Sequence, residues 1–450
     1  MGNFITLCLL KKKNMILYLK SIFNRFDYKI SRIIEYSLTP FGYVVALFLL
    51  IFFRFISRWL IIRWACIVST RIGHYSKNVE LYCCEKDKGI NVPKLNHIDL
   101  FWLYPYSCNS QLKKMWQKHL TILPRIIMNP LDKLNEKLNY FWPSNGLHDI
   151  GCGAYKDGKE LYYPPHSDRD IYDLIYKSKP HIKFTLKEEK IGNELLQDLG
   201  VPYGSKYVCL IIRDDVYLKN TFQSSNWDYH DYRNVDITNF LQISETLAEM
   251  GVFVVRMGKY VEKPFLSKHP KVIDYATNGK HNDFMDIFLC AKCFFCISTS
   301  TGLDEVATVF RKPVVYVGYA PLGLIYSWNK NCLTITRHHF SRNTNKLLTA
   351  REILGSNLIK ATHSKIYESN NIELIPNSSE EIYDVVIEMK DRLENTWKEK
   401  PEDKYLQDKF WNLFKEYTTC DKLNENYQYH GEFNALYGAN FLKNNQWWIN

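Results

Sequence analysis

Residues 298–305 read Ser-Thr-Ser-Thr-Gly-Leu-Asp-Glu: four hydroxyl side chains, a glycine and two acids. Free backbone N–H groups at a helix start, with the positive end of the helix dipole, attract phosphate. One Ser or Thr suffices to cap a helix, and Ser298, Thr299, Ser300 and Thr301 exceed that need. Asp304 and Glu305 would repel a phosphate if they pointed at it. One turn away, a carboxylate accepts instead from ribose or sugar hydroxyls. The segment is therefore read as the seat of a nucleotide-sugar diphosphate, with a plain capped helix as the alternative. Two further strand ends carry arginine: Arg213 follows the apolar run 207–212, and Arg256 closes "VFVVR" and leads into Gly258. The guanidinium fork suits diphosphate. Arg213, Arg256, Gly258, Ser298, Thr299, Ser300, Thr301, Gly302, Asp304 and Glu305 form the expected donor site.

If a hydroxyl attacks at such a site, a group must take its proton. The loop "RIGH" offers His74, whose ordinary pKa is near working pH, with Asp99 and Glu80 as runners-up. Arg71 and Gly73 of the same loop are placed on the acceptor side. No metal or other cofactor is expected. The "DRD" at 168–170 follows "YYPPHS" rather than an apolar strand and reads as a solvated loop. The "RHH" at 337–339 reads as a loop without a third ligand. Cys290, Cys293 and Cys296 lie across a helix end and an apolar strand and read as buried small hydrophobes, as do Cys83 and Cys84.

These residues need strands and helices to hold them. "ACIVST" and "HIDLFWLYP" read as buried strands. Gly73 reads as a turn before a helix of about a dozen residues, and a further helix spans 109–119. "TLKEEKIGNELLQDLG" is a helix ending at Gly200. Beyond it, strand and helix alternate: "YVCLII", a helix capped by Asp236, "VFVVR", "KVIDY", the helix "DFMDIFLCAK", "CFFCIS", a helix starting near Thr301 or Gly302, and "PVVYVG". That spacing predicts a doubly wound parallel sheet. Polar helices fill 379–418.

The net charge of +10 is concentrated at one end, since residues 1–65 hold ten Lys/Arg against two acids. The remainder is nearly neutral, which argues for an anionic surface beside the N-terminus rather than for nucleic acid. The same arm carries "FGYVVALFLLIFF", residues 41–53, about 20 Å as a helix and short of a bilayer core of ~30 Å. Arg54, Arg58, Arg63, Trp59 and Trp64 follow as interface-type residues. An interfacial or re-entrant anchor is expected, with a true span and a buried core helix as alternatives.

The segments "STRIGHYSKNVELYC", "FTLKEEKIGNELLQDLG", "VCLIIRDDVY", "DYRNVDITNFLQISETLAEMGVFVVRMG" and "DIFLCAKCFFCISTSTGLDEVATVFRKPVVYVGYAP" resemble, in order, the glycosyltransferases of bacterial surface-polysaccharide loci. The chain also looks distantly like the heptosyltransferases, although "ISTSTGLDE" lacks their acid before the hydroxyl-Gly turn and their histidine after it. The resemblance implies an α/β protein of two Rossmann-like doubly wound domains, the GT-B architecture, behind an N-terminal membrane-associated helical segment. The expected division is a membrane arm (1–64), an acceptor-side domain with linker (65–183), a nucleotide-sugar domain (184–378) and C-terminal helices (379–450). The expected activity is transfer of a sugar from a nucleotide-sugar to a surface-glycan or lipid-linked acceptor, without metal, at the cytoplasmic face of the inner membrane. Another nucleotide-sugar enzyme on this fold, such as an epimerase, and a non-catalytic membrane-bound scaffold are the alternatives.

Overall fold

The computed structural model describes residues 40–90, 92–104, 106–144, 146–150, 155–156, 159–160, 169–222, 226–418 and 430–450. Helix α1 (40–56) leads to strand β1 (Ile61–Val68), which pairs with β2 (His97–Tyr104). Single parallel bridges, Trp64 to Asp149 and Phe101 to Ile122, extend this pair. Between the two strands, helix begins at Ile72, passes through a π-helical segment His74–Asn78 and continues as α2 (Val79–Asp87). Gly73 is itself helical, with φ −63°, rather than a turn. Then come α3 (Ser110–Gln117), capped by Asn109, α4 (Arg125–Phe141), the hairpin β3 (Tyr155–Lys156) and β4 (Lys159–Glu160), and α5 (Leu186–Asp198). Thr185 and Glu188 close a reciprocal capping box on α5.

The second half builds one large sheet. Its elements are β5 (Tyr207–Ile211), α6 (Val216–Thr221), α7 (Leu241–Glu249), β6 (Phe253–Arg256), β7 (Val272–Asp274), α8 (Asp283–Lys292), β8 (Cys296–Ser298), α9 (Asp304–Val309), β9 (Val314–Tyr319) and β10 (Cys332–Thr336). The antiparallel strands β11 (His338–Ser341), β12 (Lys346–Leu347) and β13 (Ile372–Ile375) form a side sheet interleaved with the short α10 (Ala350–Leu354) and α11 (Ser364–Ser369). Next are α12 (Ser379–Leu393), α13 (Pro401–Thr418), the edge strand β14 (Leu436–Tyr437) and α14 (Ala439–Asn444). The large sheet runs β14-β10-β9-β8-β5-β6-β7, every pairing parallel. Its central strands β5, β8 and β9 are buried along their whole length, as continuous apolar runs in a doubly wound sheet should be. The chain winds outward from β5 to β7, then returns to β8 and winds the other way. The order therefore reverses between β5 and β8, and ligands of open α/β sheets bind outside the carboxyl ends at such a point.

The chain divides into two compact units, Met1–Ala65, Pro93–Leu103 and Thr121–Ile150 in one, and Cys66–Val92, Tyr104–Leu120 and Gly151–Asn450 in the other. No helix among the described residues is long and apolar enough to cross a membrane. In the first unit only Arg58 and Trp59 of the expected interface set are exposed. Arg63 lies inside β1, its Nε 2.7 Å from Asp99 Oδ1, and Trp64 beside it is buried. Arg54 is turned inward onto α4.

Several smaller expectations are corrected. Residues 337–339 are not a loop: His338 and His339 open β11, with His338 Nε2 2.8 Å from Glu381 Oε1. Asp168 lies outside the described residues, but Arg169 and Asp170 are buried, not solvated. Arg169 donates to the carbonyls of Leu324 and Ile325, and Asp170 accepts from the amides of Leu174 and Ile175. Cys83, Cys84, Cys290, Cys293 and Cys296 are buried free thiols.

Candidate functional site

In the second unit a cavity of about 340 Å³ opens at the carboxyl ends of β5, β6 and β8, the point of reversal. Its wall is built from the start of the Ile72 helix, the loop after β5, the turns at 227–233, the turn after β6 and the loop 301–305. Of the residues expected to bind or react, Arg71, Gly73, His74, Arg213, Gly258, Thr301, Gly302 and Glu305 line it together.

Two glycines set the approach of the elements. A Cβ on Gly73 would lie 3.0 Å from the Gly302 Cα, and one on Gly302 would lie 3.1 Å from the Gly73 nitrogen. A side chain at either position would wedge the Ile72 helix away from the loop 298–305. The glycine at 73 is thus explained by packing, since its φ suits any residue.

The hydroxyls of the loop after β8 are largely spent on the loop itself. Ser298 Oγ donates to Asp304 Oδ2 at 2.6 Å, and the Thr301 N–H donates to the same oxygen at 3.0 Å. Ser298 Oγ also accepts from the Ser300 N–H at 3.1 Å, and Thr301 Oγ1 accepts from the Leu303 N–H at 3.3 Å. Thr299 Oγ1 accepts from the Arg213 N–H at 2.9 Å, which ties the ends of β5 and β8 together. Ser298, Thr299 and Asp304 are buried behind the wall. Helix α9 starts at Asp304, later than Thr301 or Gly302, and is only six residues long. Asp304, not a hydroxyl, gathers the loop. Burial, and then the neighbouring Glu305 charge, push its carboxyl up to about 7.

Glu305 stands on the wall and is held from two sides. Its Oε1 is 2.6 Å from Lys77 Nζ and accepts from the Tyr326 hydroxyl at 2.6 Å. Among the described residues no donor reaches the buried Oε2. Lys77 is itself buried over the Tyr326 ring at 4.1 Å. On the Ile72 helix, the Asn78 Nδ2 lies 3.3 Å from His74 Nδ1. An amide nitrogen donates, so the neutral ring in this arrangement carries its proton on Nε2.

The electrostatic centre of the cavity is a set of guanidiniums. Arg71 stacks over Trp227 at 5.4 Å. Arg233 donates to the carbonyl of Ser300, which holds a left-handed φ of 60°. Arg213 is half-buried beside them, its Nε without a partner among the described residues. Burial, and then the Arg233 charge, bring the Arg213 guanidinium down to about 10. His230 sits among all three: burial, then Arg213, Arg233 and Arg71, drive its imidazole down to about 3. No carboxylate among the described residues forms an ion pair with these three arginines. The cavity wall therefore carries more positive than negative charge, Arg71, Lys77, Arg213, Arg233 and Lys259 against Asp214, Asp286 and Glu305.

The other expected residues stand elsewhere. Arg256 is buried against Asp274, Nη1 to Oδ1 at 3.1 Å, and is not on the cavity wall. Asp99 is held by Arg63 in the first unit. Glu80 is buried in α2, paired with Arg311 at 2.6 Å and with His181 at 3.1 Å. Glu80, Cys84 and His181 bring ligand-type atoms within 4.8 Å of one another, but the Arg311 guanidinium already supplies the positive charge a cation would bring. Residues that sequence reasoning missed are Lys77, Trp227, His230, Arg233 and Tyr326. Lys77 is one helical turn beyond His74, a legible signal. Arg233 and His230 lie in a polar stretch, "DYHDYR", that folds as 3₁₀ turns without a periodicity.

No family model matches the sequence, and no curated protein sequence matches it. Among solved structures the chain is similar to the glycosyl transferase family 9 protein of Veillonella parvula DSM 2008, at 10% identity over 61% of this chain and 86% of that one, with a TM-score of 0.37. It is similar to the E. coli ADP-heptose LPS heptosyltransferase II at 12% identity, over 61% and 90% of the two chains, with a TM-score of 0.36. It is also similar to E. coli heptosyltransferase WaaC, solved with ADP-2-deoxy-2-fluoro heptose, at 11% identity over 69% and 99%, with a TM-score of 0.27. The resemblance read from the sequence thus meets the same class of proteins among the structures. At these TM-scores the likeness goes no further, and the chemistry rests on the cavity.

Proposed function

We propose that the chain is a glycosyltransferase that takes a sugar from a nucleotide-sugar donor whose diphosphate sits among Arg71, Arg213 and Arg233. The observation that carries this is the gathering of three arginines without an ion pair among the described residues in a cavity at the strand-order reversal. A diphosphate brings the missing negative charge, and fixed guanidiniums stabilise the charge that grows on it as the sugar bond breaks. The apolar wall of Tyr217, Phe222 and Tyr260 gives a nucleobase a surface to lie against.

Of the three expected bases, His74 alone lines this cavity. With Asn78 donating to Nδ1, His74 offers an Nε2–H to a phosphate oxygen. The hydroxyl proton then falls to Glu305, whose Oε2 lacks a donor while Lys77 and Tyr326 fix Oε1. In this scheme the acceptor oxygen bonds to the anomeric carbon, its proton passes to Glu305, and the bond to the diphosphate breaks with its electron pair on the phosphate. No step calls on a metal. The acceptor is a surface-glycan precursor, free or lipid-linked, met at the cytoplasmic face of the inner membrane.

The test is thermal-shift screening of the purified chain against UDP, GDP, ADP and CMP, followed by turnover of the matching nucleotide-sugars with and without a chelator. Stabilisation by at least one nucleoside diphosphate and chelator-insensitive release of it from the sugar are expected. If none stabilises the protein, the donor reading fails. If the nucleotide-sugar returns with an altered sugar and no transfer, the epimerase alternative replaces it.

A further inference from the structure

Helix α1 has an inverted pattern for a water-facing helix. The stripe turned inward is Gly42, Ala46, Leu50 and Arg54, all buried at a spacing of four. The outward face is Phe41, Val44, Leu47, Phe48, Ile51, Phe52 and Phe55, exposed and wholly apolar. The single charged side chain of the helix is thus hidden and its large apolar ones are bare. The inward stripe lies along α4 of the same unit. A Cβ on Gly42 would come within 2.7 Å of the Ile126 carbonyl oxygen near the start of α4. At the other end Arg54 donates to Asn135 and Asn139 at 3.0 and 2.9 Å and to the Trp142 carbonyl. The two helices therefore run side by side in the same direction and end together.

That shared end carries a second exposed cluster. Tyr140 and Phe141 are 84% and 82% exposed, Trp142 is half-exposed with the Arg54 guanidinium 4.9 Å over its ring, and Phe55 of the first helix packs edge to face with Trp59 in the turn after it. Monomeric proteins rarely leave so large a contiguous apolar surface in water. Trp and Tyr at its end are residues that prefer the bilayer–water boundary. Arg58, Lys94, Lys133 and Lys137 are exposed in the same unit against two exposed acids, Glu136 and Asp149, and residues 1–39 contain seven Lys/Arg against two acids. A second copy docking on this face would bring that basic fringe against itself, whereas anionic headgroups complement it.

We propose that α1 and the Tyr140–Phe141–Trp142 end of α4 form one surface that inserts into an anionic lipid bilayer from one side, with the aromatic end as a second point of entry. The inference rests on reading the N-terminal arm as membrane-facing, and it is independent of the sugar chemistry.

The test uses the full chain and flotation with vesicles of phosphatidylcholine alone or mixed with phosphatidylglycerol. The parent should float with the mixture and less with phosphatidylcholine. F48D and F141D, both at exposed positions outside the donor cavity, should each weaken partitioning roughly ten- to a hundredfold, and the effects should multiply in the double variant. Unchanged melting and nucleotide binding keep folding out of the comparison. A parent that does not float sinks the membrane reading altogether. F48D weakened but F141D unchanged overturns the second point of entry alone. Equal binding to both vesicles overturns the basic fringe. A lipid-free dimer that F48D dissociates assigns the face to a second copy instead.

Discussion

Arg213 and Arg256 stand at the carboxyl ends of neighbouring parallel strands and meet opposite fates. The register of β5 and β6 explains it. Arg256 pairs with Leu210 on one side and Asp274 on the other, so it is still inside the sheet, with a carboxylate opposite. Arg213 lies three residues beyond Leu210, past the last residue of β5, where no strand faces it. One arginine is held by an ion pair to Asp274 and is 2% exposed; the other stands on the cavity wall with no ion pair among the described residues, although the Nε of each lacks a partner there. A polar group already answered within the protein serves stability, and one left unanswered at a cavity is free for a ligand.

The largest expected effect tests the satisfied half of this contrast. Arg256→Ala strips a buried charge from Asp274, which also accepts from the Phe265 N–H at 2.9 Å. Breaking a buried pair costs about 3–5 kcal/mol, so a denaturant melt should shift strongly while nucleotide affinity of the folded protein stays that of the parent. Lost affinity with unchanged stability would reverse the roles of the two arginines.

Asp304 is the acid that braces the loop through its Oδ2, and pH reads it out. Its carboxyl, near 3.8 when unfolded, is raised to about 7 in the fold, by burial first and the Glu305 charge second. The folded state therefore holds the proton more tightly. Its cost is absent below about pH 4, grows as pH rises towards 7, and is fully present above that. Asp304→Asn keeps a carbonyl oxygen for Ser298 and Thr301 and removes the titration. Between pH 5 and 8 the parent should lose up to roughly 3 kcal/mol relative to this variant. Parallel stability curves for the two proteins would show that Asp304 does not carry the shift.

The unsatisfied half is tested by Arg213→Ala. Loss of a charge-assisted bond to a diphosphate should weaken nucleoside diphosphate binding by about 1.5–3 kcal/mol, roughly ten- to 150-fold. Melting should change little, since the side chain holds no ion pair among the described residues. Titration calorimetry beside a denaturant melt separates the two. Affinity equal to the parent's would move the diphosphate away from the three arginines.

The strand ends were legible because a buried parallel strand is an unbroken apolar run, and the first charged residue after it marks where the chain leaves the core. Registers were not. Nothing within "VFVVR" says that Asp274 will stand opposite Arg256, since that pairing depends on how far β7 slides along β6. The same limit hid the partner of Glu80, the distant Arg311. β14 is two residues long, below any periodicity, and is recruited to the sheet edge by its pairing with β10. Of the loop 298–305, Thr301, Gly302 and Glu305 line the cavity, and Ser298, Thr299 and Asp304 are buried behind it. Their division of labour did not show, because a hydroxyl that braces a loop and one that meets a ligand are the same letter.

Thr301 gives the smallest and most discriminating test. Like Arg213 it lines the cavity, but like Arg256 it is already answered, its Oγ1 accepting from the Leu303 N–H at 3.3 Å and its own N–H held by Asp304. If satisfaction within the fold decides a group's role, Thr301→Ala should behave as a lost cap, costing on the order of 1 kcal/mol of stability. Nucleotide affinity should stay within about threefold of the parent, under 1 kcal/mol. Thr301→Ser, which keeps the hydroxyl, should restore the stability. A tenfold loss of affinity in Thr301→Ala at unchanged stability would mean that the hydroxyl leaves Leu303 for the ligand. The contrast drawn from the two arginines would then hold for charged side chains held by the sheet, but not for hydroxyls that can turn.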